Sequence, residues 1–312
     1  MDYAKLKINC SSPEYDRSFR DYMRGNQLAE KKMSEGFISD TVAYAMPDAV
    51  NSRYEKAIAG ESVMRQIAPV LAQYNGSSHI LAATSEDVAE FVPETGSINI
   101  QDVAEDFTTI LINRYKLATL VRLPESFVSD AAFDLEGYLI KRLAKAFART
   151  EDQAFIAGTG TDEPVGLLDD EEGAETGASA AELTFDTVID HYFSVKPEYR
   201  KNGVWLMNDE TALTLMKLKD DAGNYLWRRS DDTIMGKPVM ITEYMPNAEA
   251  GAKPILFGDF SYYWIVKRSP VTVKMLRELF ALNSQIGFLA TELIDGRLVR
   301  REAVKALQIT SA

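Results

Sequence analysis

Cysteine is nearly missing from this chain. Cys10 is the only one in 312 residues, so no disulfide can close within it, and the fold is not built around an oxidising compartment. Histidine is almost as scarce. His79 and His191 lie far apart, and two imidazoles cannot furnish a histidine-rich zinc or iron site. No run of about 18 apolar residues is present, which excludes a helix that spans a bilayer. The opening MDYAKLKINCSSPEYDRSF has no apolar core of a secretory signal. Positive charge is in deficit: 34 Lys and Arg against 47 Asp and Glu leave a net charge of −13. Broad, unspecific nucleic-acid binding needs an excess of cations along one face, and the short pairs Lys31-Lys32 and Arg228-Arg229 read as solvated surface. Cys10 sits in a polar segment that reads as mobile, a poor place to hold a nucleophile beside a distant histidine. Carboxylate pairs such as Asp220-Asp221 and Asp231-Asp232 are the remaining candidates for a metal-dependent hydrolase. Adjacent carboxylates on a strand point to opposite faces, and KDDAGNY reads as a turn. No catalytic, cofactor-binding or metal-binding residue is assigned, no cofactor is expected, and the chain is not read as an enzyme.

What is present is an ordinary globular composition, 46% hydrophobic and 26% charged, with length for one large or two ordinary domains. Residues 1–46 are polar, and YDRSFRDYMRGNQLAEKKMSEG has weak helical periodicity, which predicts an extended arm with some helix. In SVMRQIAPVLAQY, Met64, Ile67 and Leu71 keep a helical spacing that Pro69 interrupts. SSHILAAT and the β-branched stretch ending in YKLATLVRLP predict strands of a long two-stranded excursion, with SEDVAEFVPETGS as loop.

The clearest helix is AAFDLEGYLIKRLAKAFARTEDQAFIAG. Ala132, Leu135, Leu139, Leu143, Ala146, Thr150 and Ala154 make one apolar face, and Glu136, Lys141, Lys145 and Glu151 make the polar one. Asp130 or Phe133-Asp134 opens it. It would run roughly 40 Å. It ends in a cluster of Gly158, Gly160 and Gly166. A phosphate cradle places glycines before a helix N-terminus, where free N–H groups and the positive dipole end face the anion; these follow a C-terminus, and GTGTDEP lacks the Gly-Lys-Ser/Thr of a nucleotide loop. The expectation is a helix stop, with Gly158 in the left-handed conformation, then a tight turn. An acidic link, DDEEGAETGASAAE, leads to a mixed α/β half. Thr184 caps FDTVIDHYFSV; GVWLMN reads as a buried strand and DETALTLMKLKD as a helix; GKPVMITEYMP, KPILFGDF, YYWIVKR and VTVKMLRE read as strands. SQIGFLATELIDGRLVRREAVKALQI reads as a strand, a turn at Asp295-Gly296 and a closing element. No repeat of solenoid period occurs.

This order of pieces resembles the major capsid proteins of tailed phages, the Hong Kong 97 fold family, over residues 47–312. It rests on EDQAFIAGTGTDEPVGLL, WLMNDETALTLMKLKDDAGNYLW, MGKPVMITEYMP and ILFGDFSYYWIVKR taken together. The resemblance implies an α+β fold with an N-terminal arm (1–46), a peripheral domain (47–78, 117–171 with the spine helix, and 265–294), an extended hairpin loop over the neighbouring subunit (79–116), and an axial domain (172–264 and 295–312). The function it implies is that of a structural subunit assembling as pentamers and hexamers into an icosahedral virion shell, built in the host cytoplasm, that encloses double-stranded DNA. Its partners would be copies of itself, a separate scaffolding protein, a portal and a decoration protein, with DNA contacted weakly and no membrane. The acidic balance would face the lumen and repel DNA.

Some relatives lock the shell with a Lys–Asn isopeptide bond assisted by a Glu. Matched without gaps, Thr109 stands at the Lys position, Gln285 at the Asn position and Glu292 at the Glu position. Without an amine nucleophile no amide forms, so non-covalent shells are expected and Glu292 is read as structural. Residues 1–46 are too short for the removable internal scaffold of some relatives, so scaffolding is expected from a separate protein or from the arm. An encapsulin nanocompartment and a gene transfer agent shell share the fold and are the alternatives; the metal-dependent hydrolase is the remote one.

Overall fold

The computed structural model describes residues 10–26, 29, 44–72, 79–83, 107–130, 132–219, 223–227 and 233–310. The organising element is a helix, α5 (Leu135–Ala157), of 23 residues and about 34 Å. It starts where the sequence indicates: Asp134 is the N-cap, and its side chain accepts the Gly137 N–H at 3.0 Å. Its buried face is wider than the expected stripe. Leu135, Leu139, Leu143 and Ala154 are buried as expected, but Phe147, Ala148, Glu151 and Asp152 are buried too, while Thr150 is exposed.

The helix stops at Gly158, but not in the left-handed conformation expected. Gly158 is extended (φ −65°, ψ 149°). Glycine is required there by crowding, since a Cβ would lie 2.3 Å from the carbonyl oxygens of Ala154 and Pro164. The left-handed positions come next, at Gly160 and Asp162, in a turn closed by pairing of Thr159 with Val165.

Two six-stranded sheets flank the end of this helix. The first is built on β13 (Gln285–Leu298). Along one side it pairs over ten residues with β5 (Tyr115–Pro124). Along the other it pairs with β12 (Thr272–Leu276) and then with β11 (Tyr263–Lys267). β1 (Tyr44–Ala45) and β2 (Val70–Ala72) complete the edges. β13 runs straight through Asp295-Gly296, where a turn was expected. Gly296 is needed there because Tyr263 and Phe155 pack against the strand, and a Cβ would meet the Tyr263 hydroxyl at 2.5 Å. The inward side chains of β13 are every second residue, Ile286, Phe288, Ala290, Glu292 and Ile294. They face α5 and α2 (Asp48–Glu61). Pro69 ends the next short helix, α3 (Met64–Ile67), and the chain leaves it as strand β2.

The second sheet has the order β6 (Glu175–Ala180), β14 (Val304–Ile309), β10 (Ile255–Gly258), β7 (Val204–Met207), β9 (Lys237–Ile241) and β8 (Thr233–Ile234). One face buries Trp205, Met207, Ile255, Phe257 and Leu307 under α6 (Phe185–Ser194), α7 (Pro197–Arg200) and α8 (Asp209–Met216). The other face joins Leu206, Leu256 and Ala306 to Phe155 and Ile156 of α5 and to Ile265 and Ile294 of the first sheet. Thr184 caps α6 in a reciprocal box with Thr187. The acidic link is pinned: Lys253 binds Asp170 at 2.6 Å, and Arg301 donates to the carbonyls of Gly173 and Asp170, each at 2.9 Å.

β3 (His79–Ala83) and β4 (Phe107–Leu111) form a separate antiparallel pair, the stem of the expected excursion. β5 does not belong to it. The expectation of a loose N-terminal segment is corrected for residues 10–26. α1 (Pro13–Met23) buries Tyr15, Phe19, Tyr22 and Met23 against the first core; the Tyr15 hydroxyl donates to Ala45 O at 2.7 Å, and the Tyr22 hydroxyl accepts from Met275 N at 2.8 Å. Four large side chains on one face of a helix outweigh its otherwise polar composition.

Candidate functional site: a buried ionic cluster and an open sheet face

Between α5, α2–α3 and the first sheet lies a cluster of charged groups that includes Glu151, which sequence patterning placed on the polar face of its helix. Arg65, on α3, donates from Nε and Nη2 to both oxygens of Glu151 at 2.7 and 3.0 Å, and from Nη1 to Glu55 at 3.0 Å. Lys267, on β11, pairs with Glu55 and lies 3.0 Å from Glu292 Oε1, an ion pair without hydrogen-bond alignment. The Tyr54 hydroxyl donates to the other Glu292 oxygen at 3.4 Å. Three carboxylates therefore face two cations, with Arg65, Glu151, Lys267 and Glu292 all buried. Burial pushes the Glu151 carboxyl up to about 7, against the pull of Arg65. Burial also opposes the charge on Lys267, but Glu292 and Glu55 outweigh it and hold the ammonium above its usual value. Beside the cluster, Asp152 accepts from the Ser62 hydroxyl (2.6 Å), Val63 N (2.9 Å) and Met64 N (3.1 Å), so a carboxylate of α5 caps the start of α3.

The other expected site residues do not converge. Thr109 lies on β4 opposite Leu81, and Gln285 begins β13 opposite Pro124. Glu292 is seven residues further on, about 23 Å along the strand and on its opposite face. Cys10 is buried rather than mobile, and burial raises its thiol to about 11, which leaves it unreactive. His191 is buried on α6, and burial lowers it to about 3. The Lys305 backbone opposes that fall but lies outside hydrogen-bond geometry, so neither ring nitrogen has a partner among the described residues. His79 is exposed on β3. Asp220-Asp221, Asp231-Asp232, Lys31-Lys32 and Arg228-Arg229 lie outside the described residues. Among the described residues no group of three potential metal ligands occurs, and no helix is long and apolar enough to cross a membrane.

The first sheet also has an outward face. Trp264 and Val266 of β11 are covered there by Ile110 and Ile112 at the base of the β3–β4 stem. Apart from Gly287 and Asp295, which are buried, the remainder, on β5, β12 and β13, is exposed or half-buried. Its buried charges are paired or capped, and the exposed part of this sheet face is a surface available for contact with other molecules.

Residues 42–309 match the family model described as the phage capsid family. The chain belongs to the phage capsid family. Among solved structures it is similar to the capsid of an empty GTA particle (29% identity, TM-score 0.64, 81% of this chain and 90% of that one). The capsid of the native GTA particle matches alike (30% identity, TM-score 0.64, 80% and 90%). A chain of Microbacterium phage Oxtober96 (17% identity, TM-score 0.56, 80% and 91%) shares the fold. None of the curated proteins matches. As a phage capsid family member with these structural matches, the chain has the Hong Kong 97-type α+β fold expected from its sequence.

Proposed function

We propose that this chain is the major capsid subunit of a tailed phage, closing with copies of itself into an icosahedral shell of pentamers and hexamers around packaged double-stranded DNA. The family match over residues 42–309 carries this reading. Apolar side chains left in water support it: Phe127, Leu279 and Leu282 beside the first sheet, and Phe193, Leu213 and Tyr225 beside the second. Burying such surface between copies is worth about 25 cal/mol per Å², and point symmetry closes the array. In this reading the first sheet with α5 is the peripheral domain, the second sheet is the axial domain, and the β3–β4 stem carries a loop over the neighbour. The shell is non-covalent. Thr109 offers a hydroxyl in place of an amine, and the amine that does stand beside Glu292, Lys267, is buried and held protonated. Scaffolding protein, portal and decoration protein come from separate chains, assembly takes place in the host cytoplasm, and the acidic surplus lines the lumen.

A gene transfer agent shell is the second reading, favoured by the 30% identity to the native GTA capsid. Negative-stain microscopy of the expressed chain, alone and with its genomic neighbours, tests the first claim: closed shells are expected, and a soluble monomer under every condition refutes it. Sequencing the enclosed DNA separates the two readings, since a phage yields one genome and a transfer agent yields fragments of host DNA.

A further inference from the structure

The exposed face of α5 carries one sign of charge. In sequence its polar side is balanced, with Glu136 and Glu151 flanking Lys141 and Lys145, but the fold withdraws both carboxylates. Glu151 is buried against Arg65, and Glu136 pairs with Arg20 at 3.1 Å and with Arg53. Asp152 is turned inward, where it caps α3. The charged groups of α5 left exposed are Lys141, Arg142, Lys145 and Arg149, all cations, on a chain of net charge −13. Lys141, Lys145 and Arg149 follow at i, i+4 and i+8, about 6 Å apart along the axis, and Arg142 lies beside Lys145. None of the four is in an ion pair among the described residues; Arg142 reaches only the Tyr138 hydroxyl, at 3.4 Å. Like charges at this spacing repel and weaken a helix, so the chain keeps them against its own stability.

Such a stripe fits a phosphate backbone better than a protein. A protein interface needs an apolar centre, and between Lys141 and Arg149 no large apolar side chain is exposed. A phosphate chain asks only for cations and hydrogen-bond donors. Four cations over about 12 Å match the charge along one strand of a duplex, roughly one phosphate per 3.4 Å. At one end of the stripe Lys145 and Arg149 line a cleft with Glu61 and Glu243, which form no ion pair with them and weaken the attraction there.

We propose that the exposed face of α5 is the contact for the phosphate backbone of double-stranded DNA, made by Lys141, Arg142, Lys145 and Arg149. The proposal rests on the shell-subunit reading for the source of the DNA, and adds which residues touch it. It makes the α5 face of the subunit the lumenal one. The acidic surplus elsewhere repels the duplex, so the contact is confined to this stripe, weak and blind to base sequence. A contact of this kind is salt-sensitive and lets the duplex slide.

The test uses the full chain, dilute and unassembled, with a short labelled DNA duplex read by fluorescence anisotropy over a range of salt. The logarithm of affinity is expected to fall against that of salt with a slope of about −3 to −4. Lys141→Gln, Arg142→Gln, Lys145→Gln and Arg149→Gln are combined in one variant. It should flatten the slope by about one for each cation removed and weaken binding at low salt about tenfold or more. Its melting temperature should stay level or rise, because the repulsion along the helix is relieved. Glu61→Gln with Glu243→Gln should tighten binding severalfold. An unchanged slope in the quadruple variant overturns the proposal. Loss of shells by that variant, with duplex binding kept, overturns it in favour of a contact between copies. Polyglutamate bound more tightly than the duplex overturns it in favour of an acidic protein. A wild-type chain that binds the duplex as expected but never assembles refutes the shell reading alone, since the anisotropy measurement requires no shell.

Discussion

The two sheets are stabilised by different chemistry. Where α5 meets the first sheet, the interior contains Arg65, Glu151, Lys267 and Glu292 in contact. The interior of the second is aromatic: Trp205 stacks on Phe257 at 4.1 Å, Tyr192 lies 5.1 Å from Phe257, and the buried imidazole of His191 is kept neutral. An ionic core needs every charge answered, so it fixes one geometry of helix on strand, and it fails badly when one member is lost. An aromatic core tolerates small shifts and fails by cavity formation.

The largest expected effects separate the two regions. Lys267→Met leaves Glu292 without its nearest cation and Glu55 with Arg65 alone, and should cost about 3–5 kcal/mol in urea unfolding of the dilute chain. Trp205→Ala should cost a similar amount, about 3–5 kcal/mol, from lost burial and cavity. Lys267→Met combined with Glu292→Met should recover much of the first loss, whereas no second truncation near Trp205 repairs the other.

pH sharpens the contrast, because the two regions respond with opposite signs. Glu151 is raised from 4.5 to about 7, so the folded state binds more protons than the unfolded state across that window. Its contribution is fully present below about 4.5 and is lost as pH rises toward 7. His191 is lowered from 6.5 to about 3, so its contribution is present above 6.5 and is lost as pH falls toward 3. Each slope is up to about 1.4 kcal/mol per pH unit. Glu151→Gln should therefore leave a chain that only weakens on acidification from pH 7 to 5, and His191→Phe one that gains stability over the same range, both read from urea midpoints. The smallest expected effect is Thr184→Ala, which removes the cap of α6 for about 1 kcal/mol and leaves both pH slopes unchanged.

Legibility in the sequence follows the range of each interaction. Asp134, Thr184 and Pro69 act on neighbours a few residues away, and their roles could be read directly. The alternation of β13 was equally visible, but Asp295-Gly296 carried a turn signature that only the packing of Tyr263 and Phe155 overrides. Gly158 was recognised as the helix stop for the wrong reason: crowding by Pro164, not left-handed geometry, requires it. Glu151 read as solvated because its partner Arg65 is 86 residues away, and no local pattern encodes that pairing. Glu151 and Asp152 stand three and four residues from both Ala148 and Phe155, on the face those buried residues share, and that spacing was the signal available. The docking of α1 was hidden by its polar composition, although Tyr15, Phe19 and Tyr22 already shared one helical face.

β13 also sets how this sheet can carry load. Its ten residue pairs with β5 run side by side, from Gln285 opposite Pro124 to Ile294 opposite Tyr115. Tension along the strand is therefore shared across the whole ladder at once and cannot open it one rung at a time. A force applied along β13 therefore meets the backbone in its most resistant direction, whichever end it enters from.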